Sequence, residues 1–147
     1  MYKNVSKWRD ENLTLAQKHP RALFAMLHTQ LTKTKYTVCR IHSSGDFFSQ
    51  DYIKLWYEIV RRFPGISFYA YTKVDKMLDF TELNSLKNFN LIPSLINGKL
   101  NFGKKDYVDQ LVKDEGAFLC PAHDHKIKCN LHCNYCVSNK KPVFLQH

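Results

Sequence analysis

Apolar positions recur at helical spacing through the first thirty-odd residues, and then the period changes. Pro20 suits the first position of a helix, and Leu23, Leu27 and Leu31 follow it along one face. Residues 4–17 form a more polar helix candidate ahead of it. From residue 36 the pattern shortens to YTVCRIH, a β-branched strand signal that SSGD breaks. SQDYIKLWYEIVRRF then predicts a strong amphipathic helix, with Ile53, Trp56, Tyr57, Val60 and Phe63 on one stripe. Ser49 is placed to cap it, and Asp51 sits in the first turn, where the helix dipole favours a carboxylate. Pro64-Gly65 ends the helix, and ISFYAYT reads as a second strand. A helix is expected over about residues 76–87. FNLIPSLI is a third strand, which Pro93 weakens by removing a ladder donor. KKDYVDQLVKDEG is a further helix with Tyr107, Val108, Leu111 and Val112 on one face and Gly116 as its stop, and AFLC a fourth strand.

This order, two helices followed by alternating strands and helices, implies parallel pairing with right-handed crossovers. The expected fold is α/β: a partial parallel barrel or open parallel sheet of about four strands with flanking helices. An N-terminal helical pair precedes it and a C-terminal cysteine-rich, metal-binding tail follows. At 147 residues one domain is expected over the whole chain. Its parts are a helical segment over 1–35, βα repeats over 36–120 and the cysteine tail over 121–147. No internal repeat or low-complexity stretch interrupts the chain, and the tail lacks regular periodicity.

Composition narrows the class. The chain is 44% hydrophobic and 14% aromatic, as a soluble globular protein is. No apolar run approaches the roughly 20 residues that span a bilayer, so no membrane partner is expected. MYKNVSKWRDENLTL has no apolar core of a secretory signal. Clustered cysteines without such a signal point to a reducing cytoplasm rather than a disulfide framework. The formal charge of +9 is uneven: residues 1–36 carry seven Lys/Arg against two acids, whereas 37–120 carry eleven against ten. Such basic ends favour a polyanionic partner, nucleic acid or an acidic host protein, although they also serve solubility alone.

Ligand sites of parallel α/β folds gather beyond the carboxyl ends of the strands. His42, Ser43, Ser44, Gly45 and Asp46 follow the first strand, and Tyr71, Thr72 and Lys73 follow the second. Ser94 and Asn97 end the third, and Cys120 ends the fourth. His42, Asp46 and Lys73 are the candidate catalytic residues; Ser43, Ser44, Gly45 and Ser94 are the candidate cofactor contacts. Each has a plainer reading: Asp46 as a turn or helix cap, His42 as a satisfied core residue, Lys73 as a solvated loop residue.

CPAHDHKIKCNLHCNYC, residues 120–136, holds four of the five cysteines. Thiolates bind soft metals and iron–sulfur clusters, and four within so short a span can meet at one centre. Cys120, Cys129, Cys133 and Cys136 are the candidate ligands, with an iron–sulfur cluster ahead of zinc and unligated thiols behind both. His123, His125 and His132 interleave with them and keep zinc in play. Cys39, alone within a strand, reads as an inert buried thiol.

RIHSSGDFFSQDYIKLWYEIVRRFPGISFYAYTK closely resembles the phage gene product 88 family, and the tail CPAHDHKIKCNLHCNYC resembles that family's C-terminal cysteine segment. The strand–GD–helix–strand–TK layout also resembles radical S-adenosylmethionine-type partial barrels. In those enzymes three cysteines spaced three and two apart, with an aromatic before the last, hold a cluster with one open iron site. Cys129, Cys133, Tyr135 and Cys136 repeat that spacing, but after the last strand instead of the first. The family resemblance further implies a cysteine-rich segment upstream of the residues seen here, which is absent, supplied in trans or replaced. Cys120 offers a fourth ligand that would close the cluster against S-adenosylmethionine. Three readings follow: a radical enzyme, a non-enzymatic binding protein with a metal staple, and a remnant that has lost its ancestral site.

Overall fold

The structure is a computed structural model that describes residues 3–122, 135–138 and 141–145. Helices α1 (Lys3–Lys18) and α2 (Pro20–Lys33) lead the chain, with Pro20 at the start of α2 as its fixed φ favours. Strand β1 (Val38–Ile41), helix α3 (Gln50–Arg62), strand β2 (Ser67–Thr72), the single-turn helix α4 (Thr81–Asn84) and strand β3 (Phe89–Pro93) follow. The three strands form one parallel sheet in the order β1-β2-β3, with Cys39 opposite Phe68 and Phe68 opposite Phe89. The fold is therefore mixed α/β with parallel sheets, and the strands of the described residues close no barrel.

Helix α3 follows from its sequence. Ser49 Oγ accepts the Tyr52 N–H at its N-terminus, and Asp51 occupies the first turn. Its buried residues are Tyr52, Ile53, Trp56, Ile59 and Val60, so the stripe is centred one position from that of the periodicity reading. Tyr57 and Phe63 are only partly buried against it. Together with Ile41, Phe68, Ala70, Leu83 and Phe89 these residues make the main core on one face of the sheet. Ile59, Val60, Phe68, Ala70 and Leu83 are fully excluded from solvent.

Helix α4 is shorter than the expected helix over 76–87, and Gln50 gives the reason. Its side-chain amide donates to the Asp79 carbonyl at 2.7 Å, and its oxygen accepts the Asp79 N–H at 3.1 Å. Asp79 in turn accepts the Thr81 N–H at 2.8 Å. These bonds engage the backbone groups that a continuous helical ladder would use, so the segment turns before the helix starts.

The expected third strand is divided. After Pro93 the chain leaves the sheet and forms a hairpin, β4 (Leu95–Ile96) against β5 (Lys99–Leu100). Asn97 and Gly98 both have positive φ, 49° and 81°, as a two-residue hairpin turn requires. Asn97 therefore lies at a hairpin tip beside Glu115, not at the end of the third strand.

The expected fourth strand also lies elsewhere. Strand β7 (Phe118–Leu119) belongs to a second parallel sheet with β6 (Phe102–Gly103) and β8 (Pro142–Leu145), in the order β6-β8-β7. Strand β8 comes from the tail that lacked periodicity. Helix α5 (Lys105–Glu115) ends at Gly116 in the left-handed region, and Val108 and Leu111 pack with Ile96, Ala117 and Val143 into a second core.

Candidate functional site

The rim beyond the carboxyl ends of β1, β2 and β3 gathers several of the predicted residues, and hydrogen bonds within the fold engage the side chains of His42, Asp46 and Thr72. Asp46 Oδ1 accepts from the Thr72 hydroxyl at 2.7 Å and from the Phe47 N–H at 2.8 Å. Its Oδ2 accepts from the Lys73 N–H at 2.7 Å. The Thr72 hydroxyl also accepts the Val74 N–H at 3.1 Å. One carboxylate thus ties the loop after β1 to the end of β2, and it meets Lys73 through its backbone. Ser43, Ser44 and Gly45 lie exposed in the same loop, with Gly45 at φ 85°. The Ser94 N–H donates to the Thr72 carbonyl at 2.6 Å and continues the β2–β3 ladder.

His42 lies against α3. Its Nε2 is 2.9 Å from the Tyr52 hydroxyl, and its ring lies among Phe47, Tyr52 and Trp56 with centroids at 4.9, 5.6 and 6.2 Å. Nδ1 is buried without a partner among the described residues, as is Nε1 of Trp56. Burial pushes His42 below the ordinary histidine value, against the smaller pull of Asp46, and Arg40 adds to the downward shift. The neutral imidazole is the form this aromatic setting favours.

A pH dependence follows. The unfolded chain takes up a proton on His42 near pH 6.5, and the folded chain does so only at lower pH. Between those values the unfolded state binds more protons, so stability rises with pH. The contribution is fully present above about pH 6.5 and declines as pH falls below it. Urea unfolding between pH 5 and 7.5 is expected to show this slope, and His42→Asn to flatten it. Asparagine tolerates the positive φ of 61° that position 42 adopts.

The opposite face of the sheet carries a second constellation. Side chains alternate across a strand, and the register sets Arg40 beside Tyr69, Tyr69 beside Asn90, and Tyr71 beside Ile92. A 3-10 turn over Tyr135–Val137 lies against β2 and β3. There the Cys136 Sγ is 3.1 Å from the Tyr71 hydroxyl, and the Asn90 amide donates to the Cys136 carbonyl at 2.7 Å. Arg40 Cζ lies 5.0 Å from the centre of the Tyr71 ring, and Phe144 of β8 meets that ring at 5.7 Å. Burial, reinforced by Cys136, pushes the Tyr71 hydroxyl far above the ordinary phenol range, so it remains protonated.

Cys120 is buried at the end of β7, and its N–H donates to the Val143 carbonyl at 2.9 Å. Thus Cys120 and Cys136 are placed by two different sheets, and Phe144 packs one sheet against the other. Cys129, Cys133, His123, His125 and His132 lie outside the described residues. Cys39 is partly buried in the main core, and burial raises its thiol above the ordinary range. A groove of about 620 Å³ runs along α1 past Asp10, Thr14 and His19 and touches none of the predicted site residues.

Arg40 and Asn90 were not among the predicted site residues, and Tyr71, expected on the rim after the second strand, instead faces the turn that bears Cys136. Their signal was the two-residue alternation within VCRI, SFYAYT and FNLIP, which sets Arg40, Ser67, Tyr69, Tyr71 and Asn90 on the face away from the helices, together with Val38 and Ile92. Reading these strands as continuously apolar hid that second face.

These features define a mixed α/β protein with a cysteine-bearing turn docked on the tyrosine face of a parallel sheet. The chain belongs to the gene product 88 family, whose model matches residues 1–144. Over 52 residues it is 38% identical to the Gene 88 protein of Mycobacterium phage D29, and to the same extent to that of Mycobacterium phage L5. The matched stretch is 35% of this chain and 22% of each relative, so the chain spans about a fifth of the length of those curated relatives. No solved structure matches it. Among the described residues no helix is long and apolar enough to cross a membrane.

Proposed function

We propose that this phage-family protein is a metal-binding protein in which Cys120, Cys129, Cys133 and Cys136 hold one iron–sulfur or zinc centre against the Tyr71–Asn90 face. The carrying observation is the double attachment of Cys136, by its thiol to Tyr71 and by its carbonyl to Asn90. A residue that only ended a loose tail would not require both. The donor chemistry fits a soft metal, because thiolates select zinc and iron–sulfur clusters. Among the described residues no three His, Cys, Asp or Glu side chains gather, so the centre depends on Cys129 and Cys133 completing the set.

A centre closed by four thiolates acts as a staple, joining the end of β7 to the face of β2 and β3. Bound there, an iron–sulfur cluster would also supply a one-electron redox centre. The radical-enzyme reading needs an open iron and a rim free to hold S-adenosylmethionine and substrate. Asp46 and His42 are bonded to backbone, Thr72 and Tyr52, which favours the staple and a chain that folds as one domain around it. Such a protein works in the reducing cytoplasm of the host cell, where thiolate ligands persist.

Metal content and the absorption spectrum of anaerobically purified protein test this reading. Stoichiometric iron with a broad band near about 400 nm marks a cluster, and stoichiometric zinc without that band marks a zinc staple. Protein that carries neither metal and takes up neither in reconstitution overturns the proposal.

The charge supports a partner class as well. The formal +9 and the excess of Lys/Arg in residues 1–36 suit a polyanion, and Trp8 and Tyr36 are exposed in that segment. DNA binding of this kind weakens steeply with salt. Absent or salt-independent binding removes it.

A further inference from the structure

We propose that Tyr71 is a positioning residue for the metal centre, its hydroxyl donating a hydrogen bond to the Cys136 thiolate while Arg40 covers the ring. The inference rests on the metal reading above and deepens it. A metal-bound thiolate carries no proton, so in the 3.1 Å pair between Tyr71 and Cys136 only the phenol can then donate. Four thiolates around a divalent zinc leave a net charge of about −2. Such a centre is stabilised by O–H donors and cations beyond its ligands. The sheet supplies both from adjacent strands.

Three contacts hold the donor in place. Arg40 of β1 lies 5.0 Å from the Tyr71 ring centre, Phe144 packs against that ring at 5.7 Å, and Tyr69 lies at 6.0 Å. The guanidinium draws electron density from the ring face and strengthens the hydroxyl as a donor. Asn90 meanwhile fixes the Cys136 backbone through its carbonyl at 2.7 Å, so thiolate and donor are set by neighbouring strands. A side chain that merely filled space on this face would not need a hydroxyl aimed at sulfur. Phenylalanine would serve as well.

The test uses the reduced full chain, titrated anaerobically with Co²⁺ and followed by thiolate-to-cobalt charge-transfer absorption. Tyr71→Phe is expected to bind Co²⁺ about ten-fold more weakly at unchanged stoichiometry, the usual scale for losing an outer-shell partner. Its charge-transfer band should also shift. Arg40→Gln, on an exposed side chain, is expected to weaken binding in the same direction and by less. Tyr57→Phe, whose ring lies beneath Arg61 on α3, is expected to change nothing.

Unchanged affinity and spectrum in Tyr71→Phe overturn the inference and leave the metal reading standing. Equal weakening by Tyr57→Phe overturns it also. No charge-transfer band in the wild type overturns the inference, and if no iron–sulfur cluster forms on anaerobic reconstitution either, the metal reading falls with it. If far-UV circular dichroism shows that Tyr71→Phe does not fold, Arg40→Gln decides, and unchanged affinity there overturns the proposal.

Discussion

Asp46→Ala is expected to lower folding stability by about 3 kcal/mol. The carboxylate accepts three hydrogen bonds, from Thr72, Phe47 and Lys73, and so joins the loop after β1 to the end of β2. Hydrogen bonds to a charged group contribute about 1.5–3 kcal/mol each, and water at this partly exposed site replaces some of that in the variant. Thr72 is buried and would keep a hydroxyl deprived of its acceptor, which adds desolvation cost. Asp46→Asn retains one carbonyl oxygen but turns an N–H₂ toward a backbone or hydroxyl donor, so it too should destabilise, by less. Urea unfolding midpoints measure both. A loss below about 1 kcal/mol in Asp46→Ala would show that the carboxylate is not the tie its bonds describe.

Cys136→Ser is expected to reduce metal affinity at least about 100-fold, since outer-shell losses alone reach 10–100-fold. Cys120→Ser should lose a similar amount if Cys120 is the fourth ligand, and it should also detach the second sheet's contribution to the staple. Cys39 packs with the main core and not with the tail, so Cys39→Ser is the control and should leave metal content unchanged. Full metal occupancy in Cys120→Ser would instead mark an open site held by Cys129, Cys133 and Cys136, the arrangement that radical chemistry needs. Metal content across these variants therefore separates a closed centre from an open one.

Local chemistry explains why some of this was readable from the residues. The helix over Gln50–Arg62 announces itself through Ser49, Asp51 and the spacing of its apolar residues, and each signal acts within a few positions. The alternation of strands and helices likewise predicts parallel pairing for β1, β2 and β3. Partner choice is less local. Nothing within AFLC says that β7 pairs with a strand some twenty residues later in the tail instead of joining the first sheet. The shortness of α4 depends on Gln50, a residue twenty-nine positions from Asp79. The hairpin at Asn97-Gly98 was legible, since that dipeptide favours positive φ at both positions, but reading one strand through Pro93 to Ile96 took its first arm for the end of the third strand.

The site divides in the same way. Asp46 and the cysteine spacing stand out as residue types, whereas their partners emerge only from register. Tyr71 becomes relevant because alternation turns it away from the helices, toward the turn that bears Cys136. His42 shows the converse: its place after β1 suggests rim chemistry, while its ring bonds to Tyr52 and packs among aromatics of α3 and the preceding loop.

X-ray absorption at the metal edge of anaerobically purified protein tests the central claim most directly, because it counts the sulfur atoms around the metal. The account predicts four sulfur ligands at about 2.3 Å from a bound metal, and fewer in Cys136→Ser. A shell of nitrogen and oxygen alone, or a sulfur count that Cys136→Ser leaves unchanged, would contradict it.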